Sequence, residues 1–293
     1  MLEILAPAKL NLTLEVLAKR PDGFHEIRSV IQAINLVDSL RFRLSENIEF
    51  SCTDPDWVPA RSLVSKAVGL LQKTTGCSKG VTIEVGKRIP LVSGLSGDSS
   101  DAAAVLRGLN RLWGLGRSLP QLLELASQLG SDVAFFLYGG TAVVRGRGEV
   151  VTPLPPFPHM WVVLMLPPVP RMPGKTGRLY ASLKPGHYTR GEVTDRLVAL
   201  LTRGSLGGER LVHNLFNVLE DVAADSFAGL GEYRQQFLQA GAQEVHLAGS
   251  GPVLFTLVKD RAEAEKIYHN LQQQGLESYL TETLAPRAGV VPL

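Results

Sequence analysis

The sequence predicts a two-domain α+β fold, and three observations carry that expectation. The chain has 293 residues, too long for one typical core and suited to two domains of ordinary size. Both halves mix strand-like alternation with amphipathic helical segments and carry no internal repeat. A proline-rich passage from Pro153 to Pro158 separates them, so the expected domains are 1–157 and 158–293.

In chain order, Leu10-Asn11-Leu12-Thr13-Leu14-Glu15-Val16 alternates apolar and polar residues as a half-buried strand does. A turn at Pro21-Asp22-Gly23 leads to a second strand-like stretch, Ile27 to Leu36, and Arg41 to Leu44 alternates again; meandering hairpins are expected. Ser62 to Leu71 is helical, with Leu63, Ala67, Leu70 and Leu71 on its apolar face. Val81 to Val85 alternates and is followed by a glycine- and serine-rich loop that runs into the helical stretch Ala102 to Leu106. Ser118-Leu119-Pro120-Gln121 is a capping box, and the helix it opens stops at Gly130, which leaves Asp132 just past a helix terminus. Val133 to Tyr138 and Thr141 to Arg145 flank a Gly139-Gly140 turn.

The second half begins with a strand at 161–166 and a loop through about residue 190, then helices near 193–203 and 211–223. Glu244 to Ala248 and Val253 to Val258 flank the glycine turn Gly249-Ser250-Gly251-Pro252. A helix from Ala262 to Gln274 and a last strand near 277–282 complete an α+β sandwich.

The loop Pro90-Leu91-Val92-Ser93-Gly94-Leu95-Ser96-Gly97-Asp98-Ser99-Ser100 carries the strongest functional signal. Glycines let backbone approach a ligand closely, serines add hydroxyl donors, and the first turn of the next helix offers unpaired N–H groups at its positive end. That combination suits a polyphosphate. No Lys-Ser or Lys-Thr closes it, so it is not a Walker loop, and Gly174-Lys175-Thr176 lacks the upstream glycine that a Walker loop needs.

Thirty basic and 28 acidic residues give a net charge of +2, which argues against a nucleic-acid surface and favours a small-molecule partner. With only Cys52 and Cys77 and no basic-then-apolar leader, a reduced, cytoplasmic protein without a membrane span is expected. The six histidines show no metal-ligand spacing, so no protein-built metal site is expected. Gly94-Leu95-Ser96-Gly97-Asp98 fails the nucleophile-elbow pattern at its last position, which removes the main support for serine hydrolase chemistry.

Three segments fall into one pattern: Ala6-Pro7-Ala8-Lys9-Leu10-Asn11-Leu12, the Pro90 to Ala103 loop, and Leu247-Ala248-Gly249-Ser250-Gly251-Pro252. The triple resembles the small-molecule kinase superfamily of galactokinase, homoserine kinase, mevalonate kinase and phosphomevalonate kinase. With Arg20-Pro21-Asp22-Gly23-Phe24-His25, Gly130 to Phe136, Gly148-Glu149 and Phe216 to Glu220, it is similar to the 4-diphosphocytidyl-2-C-methyl-D-erythritol kinase family within that superfamily. The resemblance implies a two-domain kinase fold with its active site in the inter-domain cleft. It also implies transfer of the γ-phosphoryl group of ATP, accompanied by Mg2+, to the 2-hydroxyl of the cytidine-diphosphate methylerythritol substrate, in non-mevalonate isoprenoid precursor synthesis.

By the same resemblance Asp132 is the acid–base carboxylate and Lys9 the catalytic lysine; Asn11 holds substrate hydroxyls. Phe24 and His25 receive the cytosine, one by stacking and one by hydrogen bonding. Pro90, Gly94, Leu95, Ser96, Gly97, Asp98, Ser99 and Ser100 take the ATP phosphates, and Gly249, Ser250 and Gly251 face the substrate. The family's tyrosine is here Phe24, its loop glycines are Ser96 and Asp98, its adenine-side asparagine is Ser62, and the proline after Asp132-Val133 is Ala134. A carboxylate beside polyphosphate repels it, so Asp98 must point away, bind the metal or weaken ATP binding, and Asp98→Gly is expected to leave activity intact. Two alternatives stay open: a kinase of the same superfamily acting on another small alcohol, and a catalytically inactive nucleotide-binding regulatory module.

Overall fold

The computed structural model describes residues 1–170, 172, 174–204 and 207–286. Strands β1 (Leu2–Asn11) and β2 (Thr13–Lys19) do not pair with each other. Both run antiparallel to one edge of β3 (His25–Ser45), a 21-residue strand that absorbs two of the expected hairpin segments. Its length lets β3 hold β1 and β2 on one side while carrying strands from later in the chain on the other. The expected meander is therefore a single long, broken arm folded against β3.

β4 (Ile48–Cys52), α1 (Leu63–Thr75) and β5 (Gly80–Gly86) follow, with β5 on the far edge of β3 and β4 parallel to it. Helix α1 buries Val64, Ala67, Val68 and Leu71. Next come α2 (Gly97–Leu112), α3 (Leu119–Leu129) and α4 (Val133–Tyr138), then β6 (Thr141–Gly146) against β3 and β7 (Val150–Pro153) against β6. The Gln121 side chain accepts from the Ser118 amide at 2.9 Å, as the capping pattern predicts.

β8 (Trp161–Leu166) opens the second half, and α5 (Lys175–Ser182) stands where a loop was expected. After α6 (Glu192–Arg203), the helix expected at 211–223 is instead α7 (Gly208–Val212), β9 (Phe216–Asn217) and α8 (Glu220–Ser226). The break has a clear cause: β9 joins the first sheet parallel to β2, with the Phe216 and Val218 amides donating to the Leu12 and Leu14 carbonyls. α9 (Leu230–Gln239), β10 (His246–Leu247), β11 (Leu254–Val258), α10 (Arg261–Gln273) and β12 (Glu277–Glu282) follow among the described residues. A four-stranded antiparallel sheet runs β10-β11-β8-β12.

The halves are fused by apolar packing and by one buried carboxylate. Leu10, Leu12 and Ile34 of the first sheet pack with Val162, Leu164 and Phe255 of the second in one cluster. Glu15, wholly buried, accepts from the Thr194 amide at 2.7 Å, placing a negative charge at the positive end of α6. Ordering of the cleft between the sheets thus depends on residues from both. Among the described residues no helix is long and apolar enough to cross a membrane.

Candidate active site

A cleft of about 850 Å³ opens where the start of α2, the end of β1, the turn before α4 and the start of α5 converge. Residues two apart on a strand share a face, so β1 aims both Lys9 and Asn11 into it. Both are largely buried. The Lys9 ammonium donates to Asn11 Oδ1 at 2.6 Å, Asn11 Nδ2 donates to the Ser29 hydroxyl at 2.8 Å, and that hydroxyl donates to the Thr13 carbonyl. This chain fixes the asparagine amide and steers the lysine.

Asp132 lies beyond the end of α3, as expected, and its Oδ2 stands 3.6 Å from Lys9 Nζ. Its side chain keeps 29% exposure, against 5% for Lys9, so the carboxylate is the member of the pair that solvent and a ligand can reach. Ser96 departs from expectation. Its hydroxyl donates to Asp132 Oδ2, making it a partner of the carboxylate in addition to a member of the loop.

Pro90, Gly94, Gly97 and Ser99 line the cleft, and the first amides of α2, which have no intrahelical acceptor, point toward it. Val92 and Ser96 both hold positive φ, +57° and +59°. For a β-branched residue such as Val92 that is a strained conformation, of the kind held only where surrounding structure enforces it. Leu95 and Ser100 are not among the lining residues. The Leu95 side chain is wholly buried in the core and its carbonyl accepts from the Lys9 amide at 3.2 Å, while Ser100 is buried within α2.

For Asp98 the structure bears on the first of the three options drawn from sequence, since a backbone amide of α1 engages the carboxylate. Both carboxylate oxygens accept from the Leu63 amide, at 3.0 and 3.1 Å, so it satisfies a free donor at the start of α1. Burial pushes its pKa up, with the Leu63 hydrogen bond acting in the opposite direction. Asp98→Ala is expected to lower stability by about 1 kcal/mol, as loss of a helix-terminal acceptor does, while leaving turnover near wild type; thermal denaturation beside an ADP-release assay checks both. Ser62 is engaged in the same place, its hydroxyl accepting from the Ser65 amide at 3.4 Å as the α1 cap.

Phe24 and His25 line the same cleft. Phe24 is exposed, with the Arg147 guanidinium 5.0 Å over its ring. His25 is buried against Tyr180, the ring centres 5.3 Å apart, and against Tyr188 at 6.1 Å. Burial first, and then the charge of Lys19, lower the His25 pKa, which favours a neutral imidazole able to donate and accept at once. Tyr180 titrates above its ordinary value, through burial and then the nearby charge of Asp132. One ring system therefore reaches from the His25 side of the cleft toward the Asp132 side.

Tyr180, Lys175 and Arg147 were not anticipated. α5 carries the first two, and Gly177 inside it together with the prolines before it hides the helix from a periodicity reading. Lys87, also unanticipated, lines the cleft beneath Gly97 and pairs with Asp38 and, at 2.9 Å, with Asp101. Burial opposes its charge, but the two carboxylates outweigh burial and hold its pKa above the ordinary lysine value. It ties α2 to β3 beneath the glycine-rich loop.

The turn Gly249-Ser250-Gly251 closes the cleft from the second half. Gly249 and Ser250 line it, whereas Gly251 is spent on the turn itself, its amide donating to the Ala248 carbonyl at 2.8 Å. Asn217 of β9 holds this turn by donating to the Leu247 and Gly249 carbonyls at 2.9 and 2.8 Å, which explains why a strand interrupts the expected helix there. Among the described residues no group of three or more His, Cys, Asp or Glu is arranged to hold a metal ion.

The models of the GHMP kinases N terminal domain and the GHMP kinases C terminal match residues 62–140 and 199–276. A 4-diphosphocytidyl-2-C-methyl-D-erythritol kinase of Dehalococcoides mccartyi is 51% identical over 286 residues, 98% of this chain and 99% of its own. One of Geobacillus thermodenitrificans is 39% identical over 275 residues, 92% of this chain and 93% of its own. The crystal structure of a 4-(cytidine 5'-diphospho)-2C-methyl-D-erythritol kinase superposes with a TM-score of 0.80 at 31% identity, over 96% of this chain and 99% of that one.

Proposed function

The chain belongs to the GHMP kinases and, among them, to the 4-diphosphocytidyl-2-C-methyl-D-erythritol kinase family, and we propose that Lys9 and Asp132 are the pair through which it transfers phosphate. It is an ATP-dependent phosphotransferase acting on an alcohol, and its acceptor is 4-diphosphocytidyl-2-C-methyl-D-erythritol in isoprenoid biosynthesis. The reading of the site rests on one observation above others: a lysine and a carboxylate 3.6 Å apart, at the meeting point of a glycine-rich helix start and an aromatic wall.

In this reading residues 1–157 supply the ATP loop and the catalytic pair, and 158–293 the closing wall. The amides of Gly97 to Ser99 bind ATP phosphates, Asp132 takes the proton of the attacking 2-hydroxyl, and Lys9 neutralises charge developing on the transferred phosphoryl oxygens. Asn11 orients the hydroxyl. Among the described residues no cluster of carboxylates or imidazoles is ready-made for a metal, so a Mg2+ here would be bound chiefly by the phosphates, with Ser99 of the lining the residue that could add a hydroxyl oxygen. When bound, that ion supplies charge neutralisation to the phosphates. We place the reaction in the cytoplasm.

Phe24, His25 and Tyr180 favour the cytidylyl acceptor over mevalonate, homoserine or galactose, none of which carries a nucleobase to stack. The test is ADP release from Mg-ATP with each of the four acceptors. Release with the cytidylyl acceptor alone supports the assignment; release with another alcohol overturns the pocket but keeps the kinase, and silence with all four despite ATP binding returns the inactive module. Phe24→Ala is expected to raise the acceptor KM about tenfold or more, the usual loss for one base–aromatic stack, without moving the ATP KM.

A further inference from the structure

Lys175 is the first residue of α5, and its side chain is buried where the cleft meets the Gly249–Gly251 turn. Its ammonium donates to the Ser250 hydroxyl at 2.8 Å, the Ser250 carbonyl at 3.2 Å and the Gly251 carbonyl. All three acceptors are neutral. Among the described residues no carboxylate pairs with it, in contrast to Lys87 and Lys9 in the same cleft. A buried cation without a counter-charge is costly, and it becomes favourable where a ligand brings the missing negative charge.

The position says which charge that is. Tyr180, farther along the same helix, belongs to the aromatic wall. On the other side, Gly249 next to Ser250 lies against Lys9: a Cβ added there would stand 3.2 Å from the Lys9 ammonium. An acceptor whose base rests on the aromatic wall and whose alcohol reaches Asp132 must pass its diphosphate between those two points. We propose that Lys175 is the positioning residue that binds the diphosphate of the acceptor, linking base recognition to the Lys9–Asp132 pair. This rests on the functional reading above.

Titration supports the geometry. Burial, and then the like charge of Lys9, pull the Lys175 pKa down to about 7. The charged and titratable groups around it are Lys9 from β1 and Asp132 before α4 in the same cleft, Glu277 of β12 across a neighbouring cavity, and Glu220 of α8, which Arg234 and His246 already engage. A bound diphosphate favours the ammonium form and raises its pKa, so binding takes up protons at pH 7.5.

The experiment compares wild type, Lys175→Met and Lys175→Arg by steady-state kinetics and by calorimetry with cytidine 5'-diphosphate in two buffers of different ionisation enthalpy. Lys175→Met is expected to raise the acceptor KM about tenfold to a hundredfold, the range for losing a hydrogen bond to a charged group, with the ATP KM and kcat within a few-fold of wild type. Lys175→Arg should recover part of that loss. Wild type should take up protons on binding cytidine diphosphate at pH 7.5, Lys175→Met should not, and the wild-type acceptor KM should climb from pH 6.5 to 8.5.

If Lys175 only braces the turn, Lys175→Met disturbs the ATP KM and kcat as much as the acceptor KM and leaves proton uptake as in wild type; that result overturns the proposal. Should Lys175→Met fail to fold, absence of proton uptake in wild type overturns it equally. Wild type that turns over another alcohol and not the cytidylyl acceptor would instead overturn the functional reading, a distinct outcome visible before any variant is made.

Discussion

Asp132→Asn is expected to lower kcat by about two orders of magnitude or more while the protein stays folded and binds ATP with nearly unchanged KM. The substitution keeps the size of the side chain, and the site is partly open, so little packing is lost. What disappears is the negative charge facing Lys9 and, on the role proposed above, the lone pair that receives the acceptor's proton. The Ser96 hydroxyl can still donate to the remaining amide oxygen, which keeps the α2 start tied to the turn before α4. An ADP-release assay at saturating substrates, beside a thermal melt, separates the two effects. Near-normal turnover in a well-folded variant would take Asp132 out of the proton-transfer role and leave Lys9 and the helix start as the sole catalytic features, whereas a lowered melting temperature with proportionate loss would mark it as structural.

How far such a site can be read before folding depends on whether its parts are local in the chain. The position of Asp132 past α3 and the alternation that aims Lys9 and Asn11 together follow from neighbouring residues, and each was legible; the start of α2 was placed too late, because the glycines and serines from Gly97 to Ser100 read as loop and are its first turn. So were β8, β11, α10 and β12, whose periods and caps agree with their final state. α5 was not: Gly174 and Gly177 weaken it as an isolated helix, and it is held by distant partners, with Leu179 in the core and Lys175 on the Gly249–Gly251 turn. β9 interrupts an apparently helical stretch because sheet pairing with β2 and the Asn217 amide outweigh local preference. Asp98 and Ser96 sit in a loop whose pattern was clear, but their partners, Leu63 and Asp132, come from elsewhere in the chain and reassign them. The Lys87 cluster gathers Asp38 and Asp101 from two other elements and has no signature in spacing at all.

That same dependence on distant backbone makes Gly94→Ala the most damaging substitution expected in the loop. Gly94 holds φ +92°, and a Cβ there would fall 2.0 Å from the Ala248 carbonyl oxygen and 2.9 Å from the Gly251 amide nitrogen. These are backbone atoms on both sides, so no side chain can swing away to make room. The two halves must separate by more than an ångström locally, straining a backbone bond that joins them, Val253 N–H to the Ser93 carbonyl at 3.3 Å. Overpacking of this kind costs about 1–3 kcal/mol or more, and displacing catalytic groups by about 1 Å removes roughly a hundredfold of rate. Gly94→Ala is therefore expected to lose activity about a hundredfold or more and to melt earlier. Gly114→Ala serves as the control: φ there is also positive, at +69°, but an added Cβ meets nothing within 4 Å. It should carry only the conformational cost of about 1 kcal/mol and keep its kcat. Equal behaviour of the two variants would mean that the contact between the phosphate loop and the Gly249–Gly251 turn is not what sets the cleft's geometry; a loss confined to Gly94→Ala would show that catalysis depends on two backbones from opposite halves of the chain meeting without a side chain between them.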